Sequence, residues 1–388
     1  MIHTMTIKYN LNIEKVAHIT ETLGYEEDSI NFFLNDYSNR SQFKLENSLE
    51  PMNLSLRCQG IHEFKAYKLN TNGFDSFYVY LKIEPLTLIK GIQHIALFEC
   101  TDDNIRRFRE VFRESISNLF DVSKEDKLTE LSNWQVNRVD YAYDSRMNNA
   151  DEVTAFINLC KWSVIEDRYN EKAYNSYGDK FFDYGLLYGN KSWQLAVYDK
   201  RKQVEDVYRD IDEDTRNRLL SEAENIVRIE FRAKKNKVKS LKSSLMDFLS
   251  ETVAREQLDN TYGKYIGCEA FYSAYYAEKK LKETFPLTKN ERREKRLQSA
   301  KYEEYRAFMI NILKHKGMNN AYKAYLNFYS VEEKNNAKLR FKSRIKKIRE
   351  LNMSPILIPD DWRYSEKRLN LPNDSLRNPI HKEMGSLQ

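Results

Sequence analysis

Three short segments carry residue types that could act together on one ligand. If Arg138-Val139-Asp140-Tyr141-Ala142-Tyr143-Asp144 is a strand, its period of two puts Arg138, Asp140, Ala142 and Asp144 on one face and Val139, Tyr141 and Tyr143 on the other. Trp193-Gln194-Leu195-Ala196-Val197-Tyr198 sets Gln194, Ala196 and Tyr198 opposite an apolar face, and Lys200 follows. Ile226-Val227-Arg228-Ile229-Glu230-Phe231-Arg232 sets Arg228, Glu230 and Arg232 opposite Val227, Ile229 and Phe231. Carboxylates sharing a face repel one another, and a hard divalent cation removes that cost. A tyrosine beside such a cation can attack a phosphate bonded to the metal. An antiparallel sheet with one wet face alternates in this way by default; the recurrence on three segments favours a site.

The surrounding elements are those of an α+β protein. Residues 77–84 alternate as a strand that Pro85 stops, and residues 226–232 form another. Two short strands between 178 and 200 flank Gly189-Asn190-Lys191-Ser192, a hairpin turn. Ile105, Phe108, Phe112, Ile116 and Leu119 recur at helical spacing over 102–120, and Val153, Phe156, Ile157 and Cys160 do so over 150–161. After about residue 240 strand signals disappear, and a helical run rich in Lys, Glu and Tyr extends to about 350. The expected organisation is a catalytic domain over 1–245 with an antiparallel sheet and flanking helices, a helical basic domain over 246–353, and an extended, partly disordered tail over 354–388. That tail holds four of the seven prolines.

A chain of 388 residues with 41% hydrophobic and 31% charged residues can bury a proper core. Only 11 glycines and 7 prolines argue against collagen-like or linker-rich designs. No apolar run is long enough to span a membrane, and Met1 to Asn10 show no secretory signal pattern. Cys58, Cys100, Cys160 and Cys268 are scattered, which indicates reduced thiols in a cytoplasm rather than a disulfide framework or a zinc site. The net charge of +5 is too small to identify a partner; its distribution says more. Lys234, Lys235, Lys237, Lys239 and Lys242 follow the Glu230 segment directly. Lys334 to Arg349 contain eight basic residues and no acidic one, including Lys342, Arg344 and Lys346, with Leu339, Phe341, Ile345 and Ile348 between them. Such a helix packs its apolar residues on a small bundle and offers its cations to a phosphate backbone. Tyr322, Tyr325 and Tyr329 read as core residues. Glu291-Arg292-Arg293-Glu294-Lys295-Arg296 reads as exposed helix.

Four patterns, in order, resemble the gene II/gene X family of replication initiators of filamentous phages and related plasmids. They are Leu81 to Gly91, Asn137 to Asp144, Leu195 to Lys200 with a tyrosine two residues before a lysine, and Asn225 to Arg232. The resemblance covers roughly 75–245. It implies a nicking-joining enzyme of rolling-circle replication, related to the HUH endonucleases. Tyr198 would attack the scissile phosphate, giving a 5′-phosphotyrosine and a free 3′-OH, with Lys200 stabilising charge. No G-x-x-x-x-G-K-[ST] phosphate loop is present, so a host helicase would unwind the DNA. HUH enzymes bind metal through a His-hydrophobic-His pair, and the six histidines here include none. His94 alone is considered as a ligand, beside Asp140, Glu230 and Asp144, with Glu84 as a further candidate. This oxygen-rich set favours Mg²⁺ or Mn²⁺ over Zn²⁺. Arg138, Arg228 and Arg232, with Lys342, Arg344 and Lys346, are the expected contacts to double- and single-stranded origin DNA, in a bacterial host cytoplasm. The rival readings are a relaxase of conjugative transfer with the same chemistry and a non-catalytic nucleic-acid-binding regulator.

Overall fold

The computed structural model describes residues 1–22, 43–46, 60–71, 74–165, 184–209, 211–241, 243–285 and 294–362. In chain order the strands are β1 (Ile2–Leu11), β2 (Phe43–Glu46), β3 (Ile61–Thr71), β4 (Phe74–Ile83), β5 (Gln135–Arg146), β6 (Gly185–Gly189), β7 (Trp193–Asp199), β8 (Ile226–Ala233), β9 (Ala270–Ser273) and β10 (Met353–Ile358). The first eight form one antiparallel sheet in the order β2-β3-β4-β1-β5-β8-β7-β6. The expected α+β class with an antiparallel sheet and a mostly helical C-terminal region is the one observed.

Alternation decides which face of this sheet is buried. Met5 and Ile7 of β1 pair with Ile83 and Leu81 of β4, all of them fully buried. Tyr141 and Val139 pair with Phe231 and Ala233 on the same side. Helices cover this face. Asp102–Phe120 begins at Thr101, whose hydroxyl accepts from the Asn104 N–H, and it buries Phe108, Phe112, Ile116 and Phe120. Phe112 meets Trp134 edge-on, Phe120 meets Phe64 of β3, and Trp134 meets Tyr9 of β1, which places this helix under the first half of the sheet. Helix Ala150–Ser163, capped by Asn149, and helix Glu251–Tyr265 lie under the second half. The Tyr141 hydroxyl donates to the Phe248 carbonyl, and Phe156 packs on Phe271. One core therefore runs through residue 245 without a break.

The helical region is held by helices Glu294–Lys314, Met318–Asn327 and Lys334–Arg349, which meet through Phe308, Tyr322 and Phe341. Two expectations need correction. Strands do not disappear after residue 240: β9 and β10 pair in parallel. The start of the expected tail is β10 itself, buried along its whole length against helices Glu294–Lys314 and Lys334–Arg349. Pro355 is tolerated because this two-stranded sheet is all edge. Residues 363–388, residues 291–293, Lys242 and Cys58 lie outside the described residues. Cys100, Cys160 and Cys268 are free thiols. Among the described residues no helix is long and apolar enough to cross a membrane.

Candidate active site

The polar face of the sheet gathers the chemistry. In register, Tyr198 of β7 lies opposite Arg228 of β8, and Glu230 of β8 lies between Ala196 and Ala142. The two alanines leave the space that Glu230 and Tyr198 fill. The Tyr198 hydroxyl donates to Glu230 Oε1 at 2.5 Å. Arg232 donates from Nε and Nη2 to the other oxygen at 2.9 and 2.8 Å, and His3 Nδ1 lies 2.9 Å from Oε1. Glu230 is 1% exposed and Tyr198 2%. Burial opposes ionisation of Glu230, but Arg232, His3 and Arg228 hold its carboxyl well below the usual range. Burial and then the Glu230 charge push the Tyr198 hydroxyl well above its ordinary value.

A second carboxylate extends the cluster. Glu84, just beyond the end of β4, is buried and bonds His62 Nε2 at 2.8 Å, while His3 Nε2 lies 3.8 Å from its other oxygen. Burial raises the Glu84 carboxyl, yet the His62 hydrogen bond and the charges of His3, His62 and Lys200 bring it down to about 2. Two register shifts deliver these histidines: one between Ile2 and Thr4 of β1, the other between Ile61 and Glu63 of β3. Gly60 completes the join. Its carbonyl accepts the Glu84 N–H at 2.8 Å, and at φ +86° a Cβ there would run into the backbone of Leu88. His3 and His62 were missed in the sequence because they lie far apart in the chain and meet only through the sheet order.

Lys200 opens helix Lys200–Val207, whose cap is Asp199 at the end of β7. The ammonium is buried and bonds Gln203 Oε1 at 2.8 Å. Burial, then repulsion from Arg228, lowers its pKa to about 7 against attraction from Glu84, Asp144 and Glu230. If the protein cuts DNA and the Lys200 cation is the active form, kcat/KM should fall as pH rises through about 7, because the free protein then loses that proton. Lys200→Arg should keep activity at higher pH. A pH profile of both proteins checks this, and superimposable profiles would remove Lys200 from the chemistry.

Several expected roles change. Asp140 is bridged by Arg138 through Nε and Nη2, both at 2.7 Å, and accepts the Thr4 hydroxyl at 2.8 Å. Asp144 takes both arms of Arg228 at 2.7 and 2.8 Å. Each carboxylate thus has its own guanidinium fork, so the repulsion that called for a cation is already offset. His94 feels the charges of Lys90, Arg218 and Glu222 and, less, that of Glu84, and its buried Nε2 has no hydrogen-bond partner among the described residues. Among the described residues no three His, Cys, Asp or Glu side chains are disposed to hold a metal ion. The set Asp140, Glu230, Asp144 and His94 does not fit a metal. Arg228 has no exposure and also donates to the Ile95 carbonyl, so it braces the sheet. Arg138 and Arg232 keep side-chain exposures of 26% and 12%. In the basic helix, Arg344 bonds Glu304 and the Tyr325 hydroxyl, and Arg349 donates to the Gly263, Lys264 and Ile266 carbonyls at the end of helix Glu251–Tyr265. Both act as internal braces. Lys342 is exposed, and Lys346, 80% exposed, has only a loose 3.9 Å contact with Glu350.

One face of the antiparallel sheet thus carries a tyrosine bonded to a paired glutamate and a histidine–carboxylate cluster. Residues 98–255 match the family model for the N-terminal part of the gene II replication-associated protein, the gene II family of rolling-circle replication initiators. No curated protein and no solved structure matches the chain. The match holds β5 to β8, with Tyr198, Lys200 and Glu230. It supports a role in initiating rolling-circle replication and hence DNA binding. His3, His62 and Glu84 lie on the N-terminal strands, outside it.

Proposed function

We propose that the protein nicks one strand of its origin DNA by attack of Tyr198 on a phosphodiester and later rejoins ends by the reverse step. The bond formed joins the tyrosine oxygen to phosphorus; the bond broken is that between phosphorus and the 3′ oxygen. The products are a 5′-phosphotyrosine and a free 3′-OH. The tyrosine proton passes to the Glu230–His3 pair, and burial favours a neutral His3 that can take it. The departing 3′ oxygen takes a proton from solvent, and the Lys200 cation in the same cluster stabilises the negative charge that develops as it leaves. The observation that carries this reading is the Tyr198–Glu230–His3 hydrogen-bond chain on strands within and beside the family match. Tyr198 is nearly enclosed, so the strand must enter on the side of His3, His62, Arg138 and Arg232, whose side chains retain exposure.

His62 bonds Glu84 and His3 lies close to it, so these groups partner one another, and no step is routed through a cation. The test of function is a panel of single-stranded oligonucleotides spanning candidate origins, scored for a covalent protein–DNA adduct on denaturing gels. One substrate should give an adduct and release a 3′-OH fragment. No adduct on any substrate, with tight DNA binding retained, would leave a non-catalytic regulator.

A further inference from the structure

Beyond the Glu84–Glu230 cluster the same sheet face turns basic and aromatic. Thr6 of β1 lies opposite Lys82 of β4 and Arg138 of β5, and Lys8, two residues on, lies opposite Tyr80 and Gln135. Tyr78 follows on β4, with the Lys8 ammonium 4.9 Å from its ring centre. Lys234, at the end of β8, and helix Lys235–Leu241 border this face; repulsion from Lys235 and Lys239 adds to burial in lowering the Lys8 ammonium below its usual range. Burial, Arg138 and Arg232 act in the same direction on Lys234. Among the described residues Lys8, Lys82, Lys234, Lys235 and Lys239 form no salt bridge with an acidic side chain. Among the described residues the neighbouring acids are partnered: Glu63, opposite Lys82, pairs with Lys65, and Asp140 with Arg138. Four residues along β4, about 13 Å at roughly 3.3 Å per residue, separate Tyr80 from Glu84.

We propose that this face is the track along which single-stranded DNA reaches the site, with phosphates on Lys8, Lys82, Arg138 and Lys234 and bases stacked on Tyr78 and Tyr80. The assignment rests on the reading of Tyr198 as the nicking nucleophile. Its charge complements a phosphate backbone, and part-exposed tyrosines beside lysines give bases a stacking surface that a duplex, with its bases inside, does not use. A buried nucleophile also requires an unpaired strand that can be threaded. The residues on β1 and β4 lie outside the family match.

The test is fluorescence anisotropy of a labelled oligothymidylate, about 16 nucleotides long, over a salt series. Replacing Lys8 and Lys234 together by Ala should flatten the slope of log K against log salt by about 1.4, at about 0.7 per lost contact on a single strand. Tyr78→Leu should weaken binding by about 5- to 150-fold with the slope unchanged. Unfolding midpoints should match wild type, and Lys8→Gln serves as a milder second variant. Wild-type slopes and affinities in all three variants would overturn the track, as would equal losses on a duplex of the same length. Tyr198→Phe, which should bind the oligonucleotide normally, separates the two ideas. If the track variants fail while wild type forms no adduct on any substrate, the track stands and the nucleophile falls. If they bind as wild type and the adduct still forms on Tyr198, the nucleophile stands and the track falls.

Discussion

Tyr198→Phe should fold normally, bind DNA nearly as well as wild type, and form no covalent adduct. The substitution removes one oxygen from a side chain that is 2% exposed and packed among Leu187, Ala196 and Tyr184. The ring stays, so packing stays. The hydroxyl lost was one of several partners of Glu230, which keeps Arg232 and His3. An unperturbed tyrosine titrates near pH 10 and here lies higher still, so attack needs the proton removed as the bond to phosphorus forms. Without the hydroxyl no oxygen remains to make that bond, and adduct should fall below detection. The competitor is Tyr184, which packs beside Tyr198 and bonds Asp206 at 3.4 Å. Burial and the Asp206 charge push its pKa up to about 12. Peptide mapping of the trapped adduct decides between them. DNA on Tyr184, or an undiminished adduct in the Phe variant, overturns the assignment.

The strands that carry Tyr198, Glu230 and Asp140 were legible because alternation is local: each segment shows its two faces within about seven residues. Helices Asp102–Phe120 and Ala150–Ser163 were legible for the same reason, as was the hairpin joining β6 to β7. The same alternation already placed Arg138 beside Asp140 and Arg232 beside Glu230 on one face. Those arginines were read as free for DNA, but residues two apart on one strand face can pair directly, and here they do. What no local pattern carries is the strand order. β1 inserts between β4 and β5, and only that insertion, with two register shifts, brings His3, His62 and Glu84 to Glu230. β10 was hidden by Pro355 in a proline-rich context, although Ile356, Leu357 and Ile358 are a strand signal.

The largest loss of stability should come from Arg228→Met. The guanidinium has no exposed surface, reaches Asp144 with two bonds and the Ile95 carbonyl with a third, and holds the segment after helix Pro85–Lys90 down on the sheet. Burial disfavours its charge, but Asp144 more than offsets this, so the group stays ionised at any pH at which the protein is folded. Removing one partner of a buried pair leaves the other charge poorly solvated, a change that costs about 3–5 kcal/mol. Asp144 retains 22% exposure and recovers some hydration, which points to the lower end of that range. Urea unfolding of Arg228→Met should therefore show a large drop in midpoint. Arg228→Met combined with Asp144→Asn should be less damaging than the single change, because no uncompensated charge then remains. A DNA contact predicts the opposite pattern: unchanged unfolding, weaker binding and a flatter salt slope. That pattern would return Arg228 to the DNA interface, and it would mean that the sheet face opens further than the enclosed Tyr198 and Arg228 side chains suggest.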